Sequence, residues 1–262
     1  MSHALRGRHV VVTGGGGGLG GAIASACAAE GARVTLMGRT QATLDVRAEV
    51  LRVAFGTPVE AVTCDVADQP SVALAFEAAV RRQGPVYALV NNAGHAAAGL
   101  VQDITLEQWQ QVLAVNLTGA FLCSQQVLPP MLAAGEGRII NIASSAGLRG
   151  YTRVAAYCAA KHGVVGLTRA MAVETARTGM TVNAICPDYI EGTPMLQAAI
   201  ANVVRVTGKS ETEARALLAK ASPDGTFVTK KEVAANVLWL CSSDASTTTG
   251  QAIALGGGEV QP

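Results

Sequence analysis

The stretch HVVVTGGGGGLGGAIASACAAE, His9 to Glu30, decides the fold. A β-branched apolar run (His9–Thr13) enters a glycine turn (Thr13–Gly21), and a helix-length segment (Leu19–Glu30) follows. Gly14, Gly18 and Gly20 have the spacing of a nucleotide-binding turn. Glycine permits a tight turn and close backbone approach, while the next helix N-terminus offers free N–H groups to a pyrophosphate. Glycine runs also occur in flexible loops, but a strand before and a helix after is the context that phosphate binding requires. No Gly-Lys-Ser/Thr ends the run, which disfavours a P-loop triphosphatase. The favoured ligand is a dinucleotide.

Six more strands of the same kind follow: Ala32–Met37, Val59–Cys64, Val86–Val90, Arg138–Ile142, Met180–Cys186 and Gln251–Leu255. Their nearly continuous hydrophobicity fits strands covered on both faces. Helix-length segments lie between them, namely Gln41–Phe55, Ser71–Gln83, Leu106–Ala133 and Tyr157–Arg177. The alternation predicts a parallel sheet with right-handed crossovers. No linker divides the chain, so one doubly wound α/β domain is expected over residues 1–262. Thr193–Ser222 breaks the rhythm: it is polar, helical in pattern and interrupted at Gly208-Lys209-Ser210, predicting two short helices. It reads either as a plain connecting hairpin or as a lid, about residues 188–225, over a site at the strand ends.

Composition narrows the function classes. Half of the 262 residues are hydrophobic, few are aromatic and 29 are glycine, which suits helices packed closely on a sheet. Twenty basic and 19 acidic residues leave a net charge of +1. No basic field invites nucleic acid and no acidic tail signals disorder. Cys27, Cys64, Cys123, Cys158, Cys186 and Cys241 show no CxxC or Cys/His spacing, so buried reduced thiols are expected and no metal site. The opening MSHALRGRHVVVTGG holds no long apolar run or cleavage-like site, and no stretch reaches the ~18 apolar residues of a membrane span. A cytoplasmic location with no membrane partner is the expectation.

At the end of the second strand, an acid would accept from the adenosine ribose and repel a 2′-phosphate. The chain reads LMGRT instead, with Gly38 at the acid position and Arg39 after it. An arginine there can pair with a 2′-phosphate, so NADP(H) is preferred and NAD(H) stays possible. The bland alternative is a solvated surface arginine.

Six ordered motifs, TGGGGGLG (Thr13–Gly20), CDV (Cys64–Val66), NNAG (Asn91–Gly94), VNLTG (Val115–Gly119), NIASSAG (Asn141–Gly147) and YCAAK (Tyr157–Lys161), extend the pattern over nearly the whole chain. With them the chain resembles the classical branch of the short-chain dehydrogenase/reductase family. The resemblance implies a Rossmann-like sheet of seven strands and a catalytic tetrad of Asn116, Ser144, Tyr157 and Lys161. It also implies cofactor contacts from Gly14, Gly17, Gly18, Leu19, Gly20, Arg39, Asp65, Val66, Asn92, Ala93 and Gly94. Tyr157, Lys161, Pro187, Ile190 and Thr193 complete that implied set. Taken singly, Asn116 reads equally as a helix kink, Ser144 as a turn residue and Asp65 as a strand-end cap.

The proton chemistry is sensible on its own terms. Tyr157 and Lys161 stand at i and i+4, on one helix face. A free phenol titrates near 10, and a nearby ammonium is expected to lower that value and make Tyr157 a usable general acid or base. Ser144 can hydrogen-bond a carbonyl oxygen as alkoxide charge develops. By resemblance, Lys161 also binds the nicotinamide ribose, and Asn116 holds a proton-relaying water.

CPDYIEGTPM (Cys186–Met195) departs from the family pattern. Asp188 stands where the family has glycine after the proline, and Thr193 comes one residue late, with Gly192 able to bulge the loop back into register. The pocket is expected to draw on His95–Ala98, Leu148–Arg153, Tyr189 and the Met195 region, Arg149 and Arg153 being either anion attractors or solvated. The C-terminal run LCSSDASTTTGQAIALGGGEV resembles that of family members handling 3-oxoacyl or 3-hydroxyacyl thioesters and related ketones. Apolar surfaces on Leu106–Ala133 and on the helix from Tyr157 are expected, by resemblance, to pair subunits into a homodimer or homotetramer. The leading expectation is an NAD(P)(H)-dependent oxidoreductase acting on a small-molecule ketone or secondary alcohol. Its rivals are a catalytically silent dinucleotide-binding redox sensor and a methyltransferase, which would leave YxxxK unexplained.

Overall fold

Each strand of the sheet sends alternate side chains into two separate apolar layers. Val10 and Val12 of β1 (His9–Thr13) join one layer and Val11 the other; Ala88 and Val90 against Leu89 do the same in β4 (Ala88–Asn91). A sheet apolar on both faces must be covered on both, and parallel strands need crossovers that do so. The computed structural model describes residues 5–220 and 222–258; both ends of the expected domain, and Ala221 in the expected lid, lie outside the described residues. All seven strands are parallel, in the order β3-β2-β1-β4-β5-β6-β7. The remaining strands are β2 (Arg33–Gly38), β3 (Val59–Thr63), β5 (Gly137–Ile142), β6 (Met180–Pro187) and β7 (Ala252–Leu255).

One layer is α1 (Gly18–Ala29), α2 (Gln41–Phe55) and α9 (Lys230–Cys241). The other is α3 (Gln69–Gln83), α5 (Gly119–Ala134) and α6 (Ala155–Glu174). This is the expected single Rossmann-like, doubly wound domain. Strand order reverses between β1 and β4, so the C-terminal ends of those strands open the crevice where such sheets bind ligands.

The segment Leu106–Ala133 is not one regular helix. It divides into α4 (Leu106–Leu113), a π-helical turn (Ala114–Thr118) and α5. The Gly119 N–H bonds the Ala114 carbonyl, five residues back, which marks the widened turn. Leu106–Ala134 is also long and apolar enough, by length and composition, to cross a membrane, contrary to the sequence expectation. Its apolar character has another cause: Leu122, Cys123, Val127 and Met131 fill the layer shared with α3. The polar segment after β6 forms the two short helices expected, α7 (Pro194–Thr207) and α8 (Glu211–Ala219). They share a small core of Leu196, Ile200 and Ala214. The later α9 announces itself by a capping box, Thr229 with Glu232.

Candidate active site

The glycine turn is shaped by what cannot fit. A Cβ on Gly20 would stand 2.2 Å from the Gly14 carbonyl oxygen, and Gly14 itself has φ +65°, where side chains are strained. Gly17 and Gly18 face open space at the head of α1, and Gly17 supplies no side-chain cap. Among the described residues, the first-turn N–H groups of α1 have no side-chain cap and border open ground, the arrangement an anionic pyrophosphate fits. Leu19 packs its side chain on the core beneath. A nicotinamide dinucleotide fits this cradle.

The opposite wall is fastened to the turn. Thr13 Oγ1 accepts from the N–H groups of Asn92 and Ala93, both at 3.0 Å, and Asn92 Nδ2 donates to the Thr13 carbonyl at 2.9 Å. Gly94 follows, exposed. Sequence reasoning passed over Thr13; its only signal is a hydroxyl at the last position of β1. Arg39, just beyond β2, is exposed and carries no hydrogen bond or ion pair among the described residues. The Asp65 carboxylate accepts from the Ala67 N–H at 3.0 Å, a local cap, while Val66 is buried against Gly119 at the start of α5.

At the ends of β4 to β6 the structure gathers Asn116, Ser144, Tyr157 and Lys161. Ser144 follows β5 and takes the Ala146 N–H on its hydroxyl at 3.1 Å, so it is indeed a turn residue as well as a candidate for chemistry. Tyr157 is 8% exposed and Lys161 4%, both on the inward face of α6. Lys161 Nζ donates to the Ile142 carbonyl at 2.7 Å and lies 5.5 Å from the Tyr157 ring centroid. Burial pushes the phenol up to about 12, against a hydrogen bond with Ser144 that lowers it, and pushes the ammonium down to about 8. The phenol is thus raised and not lowered as expected: desolvation is the leading influence, and the Lys161 ammonium is turned to a backbone carbonyl.

Asn116 lies inside the π turn. Its Nδ2 donates to the carbonyls of His95 at 2.6 Å and Val112 at 2.8 Å. It thus sits in the widened turn and ties the loop after β4 to the helix. Ala96, Ala97, Tyr151 and Val154 pack with Tyr157 in one cluster, and a bridge joins Gly99 to Val154. The two predicted pocket loops therefore meet beside the phenol. Arg153 has φ +68°, unusual outside glycine.

Pro187, the last residue of β6, is buried, and Ile190 beyond it pairs in a bridge with Val228. Thr193 caps α7, accepting from the Leu196 N–H and donating to the Ile190 carbonyl at 2.7 Å. Gly192, just before Thr193, has φ +64°, a left-handed conformation that glycine accommodates. Asp188 takes the Ser145 hydroxyl on Oδ1 at 3.3 Å, a contact sequence reasoning did not foresee.

A pyrophosphate cradle at one end and a protonated, buried phenol at the other suit an oxidoreductase that divides its labour, the dinucleotide carrying electrons and the chain carrying the proton. Comparison with known proteins makes the class specific. The family model described as short chain dehydrogenase matches residues 8–203. The chain is 43% identical to a putative ketoacyl reductase of granaticin polyketide synthase from Streptomyces violaceoruber, over 95% of this chain and 91% of that one. It is 37% identical to a D-beta-hydroxybutyrate dehydrogenase of Rhizobium meliloti, over 95% of this chain and 96% of that one. A crystal structure of a tryptophan variant of actinorhodin polyketide ketoreductase with NADPH superimposes with a TM-score of 0.92 at 40% identity, covering 96% of this chain and 97% of that chain. The chain belongs to the short-chain dehydrogenase family. It is an NAD(P)-dependent oxidoreductase that interconverts a ketone and a secondary alcohol, and a catalytically silent sensor is not favoured.

Proposed function

We propose that the chain reduces the ketone of a 3-oxoacyl thioester or a related ketone with NADPH, Tyr157 delivering the proton. The observation that carries this reading is the buried phenol of Tyr157, hydrogen-bonded to Ser144 and raised to about 12, hence loaded with its proton at neutral pH. When bound, the nicotinamide dinucleotide exchanges a hydride with the substrate carbon. Ser144 holds the carbonyl oxygen, and Tyr157 passes its phenolic proton to that oxygen as alkoxide charge develops. The Lys161 ammonium, held by the Ile142 carbonyl beside the ring, would bind the nicotinamide ribose. Both amide hydrogens of Asn116 are engaged by backbone carbonyls, so a relaying water there would be held by an oxygen. In the oxidising direction Tyr157 takes the proton back.

Gly14, Gly17, Gly18, Leu19 and Gly20 would hold the pyrophosphate end, with Asn92, Ala93 and Gly94 along the cleft. Asp65 and Val66 would meet the adenine, and Pro187, Ile190 and Thr193 the carboxamide. The preference for NADP(H) over NAD(H) rests on Arg39, exposed and unengaged, and is supported by the NADPH in the solved relative. The thioester class is supported by the relatives named as ketoacyl reductases.

Residues 188–225 serve as the lid in this reading, with α7 and α8 carrying their own small core and a Glu191–Arg215 ion pair holding them to the loop after β6. A homodimer or homotetramer is supported by apolar side chains left exposed on α4 and α5, Leu106, Trp109, Phe121 and Leu132 among them. A cytoplasmic location fits cysteines that are all buried and unpaired. The test is a screen of ketones, acyl thioesters and alcohols with both cofactors. NADPH oxidation by a 3-oxoacyl thioester supports the proposal, and turnover confined to NAD with simple alcohols rejects it.

A further inference from the structure

The hairpin of α7 and α8 carries a core of its own. Leu196, Ile200 and Ala214 are buried apart from the two layers on the sheet, and Tyr189 and Phe227 pack against them from the hairpin's two roots. The roots are stapled to each other. Ile190 bridges Val228, the Glu191 N–H donates to the Val228 carbonyl at 2.8 Å, and the Val228 N–H donates to the Tyr189 carbonyl at 3.0 Å. Lys230 Nζ adds a bond to the Gly192 carbonyl at 2.8 Å. These bonds close the base of the hairpin, and none of them reaches α8. Arg215 does. From the middle of α8 it pairs with Glu191 at the first root and lies 4.9 Å from the centroid of the Phe227 ring at the second. Phe227 meets the Tyr189 ring edge-on, at 6.5 Å and 89°. Tyr189 stands two residues past the end of β6, close enough to the Tyr157 phenol to help raise it. The other charged side chains with bonds on this hairpin stay local: Arg205 bonds Asn202 of its own helix and Glu213 caps with Ser210.

We infer that Arg215 is a positioning residue of the ketone site: through Glu191 and Phe227 it locks the lid on its roots and sets the Tyr189 ring that walls the site near the phenol. The inference rests on the lid and the ketone site proposed above. The ion pair is half-open to water, its side chains 42% and 43% exposed, so it contributes modestly and yields to salt. The guanidinium face on Phe227 adds a second modest contribution, and arginine is the residue whose planar head can serve both partners at once. Two weak links suit a lid, which must favour closure over the ketone and still release the alcohol. Arg215 thereby acts on ketone affinity through Tyr189, and the proton transfer itself stays with Tyr157.

The experiment measures kcat and KM for ethyl acetoacetate, an uncharged 3-oxoacyl ester, at saturating dinucleotide, so that salt acts neither on the ketone nor through cofactor binding. Arg215→Gln removes both links, Arg215→Lys keeps the charge and loses the planar face, and Glu191→Gln removes the ion pair alone. The expected result is a KM raised about fivefold to tenfold in Arg215→Gln and about twofold to threefold in the other two, with kcat held within about twofold. Raising salt from about 20 to about 500 mM should raise KM about twofold in the unaltered protein and leave it flat in Glu191→Gln, a response that general loosening of the fold would not produce. A KM in both glutamine variants within about 1.5-fold of the unaltered protein, or the same salt response in Glu191→Gln as in the unaltered protein, overturns the inference and leaves the ketone site standing. Failure of the unaltered protein to reduce ethyl acetoacetate or any acyl thioester overturns the proposed function and the inference with it.

Discussion

Tyr157 and Lys161 share one face of α6 and a burial that acts on them in opposite directions, raising the phenol to about 12 and lowering the ammonium to about 8. At neutral pH both groups then hold their protons, the state carbonyl reduction requires. Above pH 8 Lys161 loses its charge first, because its pKa is the lower of the two. For reduction, kcat/KM for the dinucleotide, which reports the free enzyme, is expected to fall above about pH 8. Lys161→Arg should move that limb upward; a profile unchanged by the substitution would reject the assignment. Tyr157→Phe removes the transferable proton and should lower kcat by roughly 100- to 10,000-fold while dinucleotide binding persists. Arg39→Ala should weaken NADPH by about tenfold or more and NADH little, as expected for loss of a charge-assisted pair with phosphate. Equal losses for both cofactors would mean that Arg39 is a solvated arginine after all.

The turn between β1 and α1 carries the contrast that matters among elements. A methyl group on Gly20 would meet the Gly14 carbonyl at 2.2 Å and Asn92 Nδ2 at 2.6 Å, so the turn would have to open. Gly17 has extended backbone and nothing within 4 Å. Gly20→Ala is therefore expected to weaken dinucleotide binding by more than about tenfold and to lower Tm by several degrees. Gly17→Ala should shift Tm far less, and similar shifts in both variants would contradict the close-approach argument. The sequence pattern carried this element almost whole, because a strand, a glycine run and a helix each have their own local signature. It carried β4 less well: Val86 and Tyr87 read as strand, yet the strand begins at Ala88. The π turn was invisible, since Val-Asn-Leu-Thr continues the apolar pattern of a regular helix. Thr13 and the Ser145–Asp188 contact escaped for another reason. Each depends on a residue some 40 to 80 positions away, which no local pattern encodes.

Across the whole molecule, burial also governs thiols and the one deeply placed histidine among the described residues. Desolvation raises Cys64 and Cys186 to about 11 and Cys241 to about 12, so these thiols should resist alkylation at neutral pH until the chain unfolds. His9, at the start of the central strand β1, has Nδ1 at 2.7 Å from the Gly84 carbonyl and Nε2 at 2.9 Å from Thr35 Oγ1. A carbonyl only accepts, so Nδ1 carries the hydrogen of a neutral ring and Nε2 accepts from Thr35. Burial lowers its pKa from 6.5 to about 4, the Gly84 contact opposing and Arg33 assisting. The folded state therefore binds fewer protons than the unfolded state across that window. Stability is full above about pH 6.5 and is lost as pH falls towards 4, by an amount on the order of 3 kcal/mol for this group. Carboxylates contribute their own slope at lower pH, so the informative quantity is the difference between the unaltered chain and His9→Gln. Urea unfolding at a series of pH values from 7.5 to 4 should show the two curves converging as the unaltered chain loses its advantage. Parallel curves would mean that His9 titrates alike in both states and that its burial exerts no control over acid stability.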